Sequence, residues 1–276
     1  MNMSMNKIAI MGAGWLGWPL AKSLVEKGYT VNASTTSSEK MESLAADGIQ
    51  PFLINLLPAG PEGEALESFL KVDLLLINIP PGRRDPEVEN NFPKKIKTFI
   101  SLAEKFGVNR CVFVSSTGVF SDAQGRIDEA TIPVPVTNSG KALVSVETYL
   151  KSLPNLHTTI LRPGGLVGGD RLAGRFLAGK KDISNGNAPI NMIHRKDLIN
   201  ILLKIIDQKI FGKTFHCVAD QSPTRRDFYT QQAKKYGFEI PEFLSDGGAG
   251  PFKIIGNDFL KEMLDYEFVF GDPMGF

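Results

Sequence analysis

The chain has 276 residues, 42% of them hydrophobic, and its 31 basic and 30 acidic side chains leave a net charge of +1. That length accommodates one large α/β domain, or a nucleotide domain with a smaller appendage. The even charge balance argues against nucleic acid or an anionic membrane as the main partner, and no apolar run approaches the roughly 18 residues of a membrane span.

Residues 7–11 form the first predicted element, a short apolar strand. Gly12, Gly14 and Gly17 follow in the spacing G-x-G-x-x-G, enclosing Trp15 and Leu16, and lead into a helix in which Leu16, Leu20 and Leu24 recur at spacing four. Strand, glycine turn and helix in that order are a dinucleotide-binding fingerprint. Gly12 serves the tight turn, Gly14 lets backbone approach a pyrophosphate, and Gly17 allows helix to pack closely on strand. The helix N-terminus offers N–H groups and a positive dipole end to phosphates. Pro19 is tolerated only where a missing N–H has no intrahelical partner, so the helix is expected to begin close to Trp15. Lys7 and the apolar residues after it imitate a signal peptide, but three glycines and Pro19 interrupt the stretch, and a cytoplasmic protein is expected.

Further strand-like runs stand at 30–33, 51–54, 73–79, 110–115, 158–161 and 214–218, alternating with helical stretches such as 94–106 and 141–153. This alternation predicts an α/β fold with a Rossmann-type, doubly wound parallel sheet. The runs LLLINI and CVFV are apolar on both faces, as strands covered by helices on two sides should be. Cys111 and Cys217 sit inside apolar runs and are expected as buried free thiols. Residues 121–140, with Pro133 and Pro135, show no period and read as a long loop of the kind that carries function. Beyond Arg162 the sequence turns glycine-rich and basic. Helices are expected at 225–236 and 257–265, with a turn-rich tip at 245–251 between them. Residues 1–165, completed by 190–220, are assigned to the nucleotide domain; residues 166–189 and 221–276 are assigned to a small substrate lobe.

At the end of the second strand an acid would hydrogen-bond the adenosine ribose of NAD. None is there: VNASTTSSEK offers Asn32, Ser34, Thr35, Thr36 and Ser37 with Lys40 just beyond, while Glu39 is expected inside the next helix. Small hydroxyls and a lysine suit a 2′-phosphate, so NADP is favoured, with NAD as the alternative.

VFVSSTGVF at 112–120 resembles the fifth strand and following loop of extended short-chain dehydrogenase/reductases, in the NAD-dependent epimerase/dehydratase family. NIPPG after the fourth strand, IDEATIPVP, LRPGGLVGGDR and NMIHRKDL agree with it, so the resemblance runs from Lys7 to the C-terminal end. It implies that Ile79, Pro80, Pro81 and Ser115 border the cofactor and that Ser116 is the catalytic serine. In that family a Tyr-x-x-x-Lys pair on the next helix moves the proton. Aligning Glu147 with the family's glutamate puts Ser139 at the tyrosine position and Leu143 at the lysine position, so the chain resembles an atypical branch. None of the five tyrosines has a lysine four residues on, and an aliphatic hydroxyl is far harder to ionise than a phenol. Lys141, two residues from the lysine position, points to a different helix face and would reach a phosphate only if the helix began late.

Arg83, Arg84, Arg171, Arg175 and Arg195 are candidates for an anionic substrate. Arg171 in GGDR and His194 in IHRKD match family positions near substrate, and Asp197 is expected to cap or pair locally. Three scattered histidines without paired spacing give no metal site, and no G-x-S-x-G elbow exists. The reading is a dinucleotide-binding oxidoreductase or epimerase/dehydratase-type enzyme for a small, anionic or sugar-like substrate. The alternative is a non-catalytic dinucleotide sensor or scaffold, and a homodimer through sheet-flanking helices would resemble the family.

Overall fold

The computed structural model describes residues 5–82, 85–245 and 250–276; Arg83, Arg84 and positions 246–249 of the expected tip lie outside them. β1 (Lys7–Met11) leads through the glycine turn into α1 (Gly17–Glu26), β2 (Thr30–Thr35), α2 (Met41–Ala46), β3 (Gln50–Leu57) and β4 (Gly60–Gly63). α3 (Leu66–Leu70), β5 (Leu74–Ile77), α4 (Val88–Lys105) and β6 (Arg110–Val114) complete the first half. Next come β7 (Gly125–Ile127), α5 (Asn138–Ser152), β8 (His157–Pro163), β9 (Gly165–Val167), β10 (Met192–His194) and α6 (Arg195–Gln208). The chain ends with β11 (Thr214–Cys217), α7 (Arg225–Lys235), β12 (Lys253–Ile255) and α8 (Asp258–Leu264).

Eight strands form the main sheet in the order β11-β8-β6-β5-β1-β2-β3-β4. β1 pairs in parallel with both β2 and β5, and β5–β6, β6–β8 and β2–β3 are parallel too. β4, an edge strand, pairs antiparallel with β3, and Pro61 within it removes one donor from that edge. Leu74, Leu75, Leu76 and Ile77 of β5 are all fully buried, which is what an apolar run covered on both faces requires.

The chain divides into two compact units, each woven from separated segments. The first comprises Met1–Ser115, Pro135–Leu161 and Lys209–Thr214; the second comprises Ser116–Val134, Arg162–Gln208 and Phe215–Phe276. In the first unit α1 buries Gly17, Leu20, Ala21 and Leu24 along one stripe. Thr137 caps α5, its hydroxyl accepting the Gly140 N–H at 3.0 Å. In the second unit a core of Val167, Ala173, Met192, Ala219, Phe228 and Phe276 lies against α7. Thr224 caps α7 by accepting the Asp227 N–H at 3.1 Å.

The stretch 121–140 is not one long loop. β7 forms within it, paired in parallel with β12, and α5 begins at Asn138. Three residues of β7 need a partner about 130 positions away in the chain, so no local period betrays them. α6 and the short strands β4, β9, β10 and β12 likewise lie outside the elements expected from periodicity; each of those strands has only three or four residues, too few to show a period.

Candidate functional site

The glycine turn has its shape for steric reasons internal to the first unit. Gly12 has φ +108°, and a Cβ there would stand 2.7 Å from the Asn78 carbonyl oxygen and 2.9 Å from Ile79 Cγ2. A Cβ on Gly17 would stand 2.1 Å from the Gly12 carbonyl oxygen. Both positions therefore require glycine. Gly14 differs: a Cβ built on it meets nothing within 4 Å, so the protein's own packing gives no reason for glycine there. The Trp18 N–H donates to the Gly14 carbonyl at 3.0 Å, closing a turn over Trp15, Leu16 and Gly17, and α1 itself starts at Gly17, two residues after the expected Trp15. Pro19 then falls in the first turn of α1, where its missing N–H costs little.

Two neighbours hold this turn. Ser34, at the end of β2 and 1% exposed, accepts the Gly12 N–H on its hydroxyl at 2.8 Å and donates to Met11 Sδ at 3.2 Å. Asn78 donates its backbone N–H to the Met11 carbonyl at 2.9 Å, and its amide reaches the Gly12 carbonyl at 3.4 Å. Ile79 thus lies directly against the glycine turn, with Pro80 and Pro81 following it. The other hydroxyls after β2 divide by environment. Asn32 is buried and donates to the Ser68 and Phe69 carbonyls. Thr35 accepts the Ser37 N–H at 3.1 Å, whereas Thr36 and Lys40 are exposed. Glu39 lies in a 3₁₀ turn, Ser38–Lys40, that precedes α2. Ser34 therefore serves as a strut under the turn, while Thr36, Ser38, Glu39 and Lys40 form the exposed surface beyond β2.

At the end of β6 the two adjacent serines do different things. Ser115 donates to Glu147 Oε1 of α5 at 2.6 Å, a bond buried on both sides. Ser116 caps the 3₁₀ turn Thr117–Val119 by accepting the Gly118 N–H at 3.0 Å, which leaves its own proton available for donation. Lys253 closes the other end of that turn, donating to the Phe120 carbonyl at 2.7 Å and the Thr117 carbonyl at 3.2 Å. On α5, Ser139 sits in the first turn, 3.4 Å from the Thr137 hydroxyl, and Leu143 is 5% exposed. Lys141 is exposed and pairs with Glu89 of α4 at 3.5 Å; α5 does not start late enough to turn it elsewhere.

The second unit contains a small pocket of about 70 Å³ walled by Gly168, Gly169, Arg171, His194, Tyr236 and Phe276, among others. It brings together the two residues expected to face substrate, Arg171 and His194. Arg175 is exposed, with its guanidinium 5.6 Å from the Phe238 ring centroid, and is not among the pocket's walls. The His194 ring stacks on Phe270 with centroids 3.8 Å apart, and its Nδ1 accepts the Lys196 N–H at 3.3 Å. Partial burial lowers its pKa from the ordinary histidine value. Asp197 does not act locally. Fully buried, its carboxylate accepts the Tyr266 hydroxyl at 2.7 Å and the Val269 and Phe270 N–H groups at 2.9 Å each. That clamp fixes the segment whose Phe270 ring supports His194; burial, with the Asp197 carboxylate beside it, pushes the Tyr266 phenol above its ordinary range.

A second buried cluster lies in the same unit. His216, 0% exposed, has Nε2 at 3.5 Å from an Arg162 nitrogen, and its ring meets Phe120 edge-on at 5.3 Å. Its backbone N–H donates to Glu129 Oε1 at 3.0 Å. Burial, with Arg162 beside it, drives the His216 pKa down to about 4, and burial raises Glu129. Sequence reasoning missed this cluster, the Asp197 clamp and the Ser115–Glu147 bond. The available signal was an acid set on an apolar helical stripe: Asp197 beside Leu198, Ile201 and Leu202, and Glu147 beside Val146 and Leu150.

A family model described as NAD(P)H-binding matches residues 12–209. Over 271 residues, 98% of each chain, the sequence is 35% identical to protein YeeZ of Escherichia coli (strain K12). Among solved structures, UDP-glucuronic acid 4-epimerase from Bacillus cereus, in complex with UDP-glucuronic acid and NAD, superposes with a TM-score of 0.78. It is 18% identical, and the match covers 98% of this chain and 96% of that one. A short-chain dehydrogenase/reductase superfamily protein from Agrobacterium tumefaciens with bound NAD gives a TM-score of 0.77 at 17% identity, covering 98% and 95%. Likeness at those identities establishes the fold.

Proposed function

Since the chain belongs to the NAD(P)H-binding family and has the short-chain dehydrogenase/reductase fold, we propose that it is an NADP-linked oxidoreductase or epimerase/dehydratase acting on a small, anionic or sugar-like substrate. The observation that carries the cofactor half of this reading is the contrast within the glycine turn. Gly12 and Gly17 are glycine because protein atoms crowd them; Gly14 is glycine beside open space, as it should be where backbone must approach a pyrophosphate. A bound nicotinamide dinucleotide would supply redox chemistry at its ring. The chain's part is to seat the pyrophosphate on Gly14–Gly17 at the start of α1 and to border the cofactor with Ile79, Pro80, Pro81 and Ser115. Thr36 and Lys40 are the residues assigned to a 2′-phosphate, with Ser34 and Thr35 shaping the strand end beneath them. Ser116, with its proton free to donate, orients a substrate oxygen. The family's tyrosine and lysine positions hold Ser139 and Leu143, so the mobile proton comes from another side chain or from water. Arg171 and His194 contribute the substrate side.

Trp15 and Trp18 are the chain's two tryptophans, and both belong to the glycine turn and the start of α1. Quenching of their fluorescence therefore reports binding at the proposed site. Titration with NADPH and NADH is expected to quench with both, and at lower concentration with NADPH. Tighter NADH binding overturns the NADP assignment, and quenching by neither overturns the cofactor reading. Ser116→Ala is expected to bind dinucleotide as the native protein does while losing turnover of any substrate found for it.

A further inference from the structure

The double glycine in GGDR has a purpose that the nucleotide reading does not use. Gly168 and Gly169 have φ of +113° and +61°. A Cβ on Gly168 would stand 2.4 Å from His194 Nε2, and one on Gly169 would stand 2.2 Å from a terminal nitrogen of Arg195. Glycine here draws backbone up against two nitrogen-bearing side chains, and Arg171 follows two residues later on the same pocket wall. The turn is closed on itself: Gly168 and Arg171 exchange backbone hydrogen bonds, each 3.2 Å long.

His194 is held in one orientation and one tautomer. Because Nδ1 accepts the Lys196 N–H, the proton of the neutral ring sits on Nε2, the atom facing Gly168. Stacking on Phe270, itself fixed by the Asp197 clamp, locks the ring plane. The Phe276 oxygen is bonded by Lys235 and by Gln232. Within the lining, His194 contributes an imidazole N–H and Arg171 is the one residue with a permanently cationic side chain. Its volume of about 70 Å³ is that of about two waters, far below the roughly 300 Å³ at which pockets begin to enclose a whole drug-sized ligand.

We propose that this pocket is an oxyanion site that takes a single phosphate or carboxylate group of a small ligand, gripped by Arg171 and by the His194 Nε2–H. The assignment rests on the reading of Arg171 and His194 as substrate-facing and names the group they hold. The ligand's remaining atoms lie outside the pocket, which has room for the charged end alone. Arg171 supplies charge and a planar donor pair suited to an oxyanion, and His194 supplies direction.

Histidine-selective NMR tests this directly, because the chain has three histidines and the other two are outside the pocket. Titration with inorganic phosphate at constant ionic strength is expected to shift the His194 imidazole signals saturably while those of His157 and His216 stay put. Arg171→Met should weaken that binding at least about tenfold, the loss of a charge-assisted bond, and Arg171→Lys should recover part of it. Acetate in a parallel titration separates the two sources: the anion that saturates at lower concentration names the group. A His194 signal that does not move with either anion, or that moves equally in Arg171→Met, overturns the proposal. The readout does not depend on the dinucleotide, so failure of the tryptophan titration and failure of this one are distinguishable.

Discussion

Gly14→Val and Gly17→Ala should separate a glycine reserved for ligand from one required by packing. At Gly14 the added side chain meets no protein atom within 4 Å, and the backbone is not in the left-handed region. Stability should therefore change by no more than about 0.5 kcal/mol. At Gly17 the new Cβ would lie 2.1 Å from the Gly12 carbonyl oxygen, where carbon–oxygen contact needs about 3.3 Å. The turn must open by about 1 Å, at a cost of about 1–3 kcal/mol for an overpacked core site. Both variants should lose dinucleotide affinity by more than about tenfold, Gly14→Val because its isopropyl group fills the pyrophosphate's approach. Urea unfolding gives the stability change, and quenching of Trp15 and Trp18 gives the affinity. A Gly14→Val protein that binds NADPH as the native chain does would refute the reasoning, as would one that loses stability like Gly17→Ala.

Other outcomes follow from the same contacts. Lys40→Glu should lower the preference for NADPH over NADH about two- to fivefold, the scale of an exposed ion pair, measured as the ratio of the two dissociation constants. Asp197→Ala removes a buried acceptor of three hydrogen bonds and should destabilise by about 3–5 kcal/mol, with a matching fall in Tm. His216 sits near pKa 4 in the folded chain against 6.5 for an ordinary histidine. The unfolded chain therefore binds the extra proton between those values, and stability should fall by about 3 kcal/mol as pH drops from 6.5 to 4. Glu129, raised by burial, works in the opposite sense, so the informative quantity is the flattening of that slope in His216→Gln, followed by urea unfolding at several pH values.

The parts of this molecule that depend on neighbours in sequence were legible from sequence alone. β1, the glycine turn and α1 are dictated within 20 residues by a short apolar run, three glycines and leucines at spacing four, and the parallel sheet follows from the repeated alternation of strand-like and helical runs. Residues whose meaning lies across the chain were harder to read. Ser34 looks like a ligand hydroxyl until Gly12 is found 2.8 Å away, and Asp197 looks like a local cap until residues 266–270 are seen to converge on it. Arg171 and His194 stand out in the sequence only through resemblance to the family, and both line one pocket; nothing between positions 171 and 194 encodes their meeting.

The interleaving of the two units bears on how the chain is made. β7 must wait for β12 before it can pair, and the first unit is not complete until Lys209–Thr214 has emerged. At a synthesis rate of about 5–20 residues per second, the loop after β6 spends on the order of ten seconds without its strand partner. No single cut of the polypeptide releases either unit whole. Fragments ending near residue 165 would therefore expose the 116–134 segment, with Ile132 and Val134 already more than half exposed in the native fold, and such nascent stretches are where chaperone binding should concentrate.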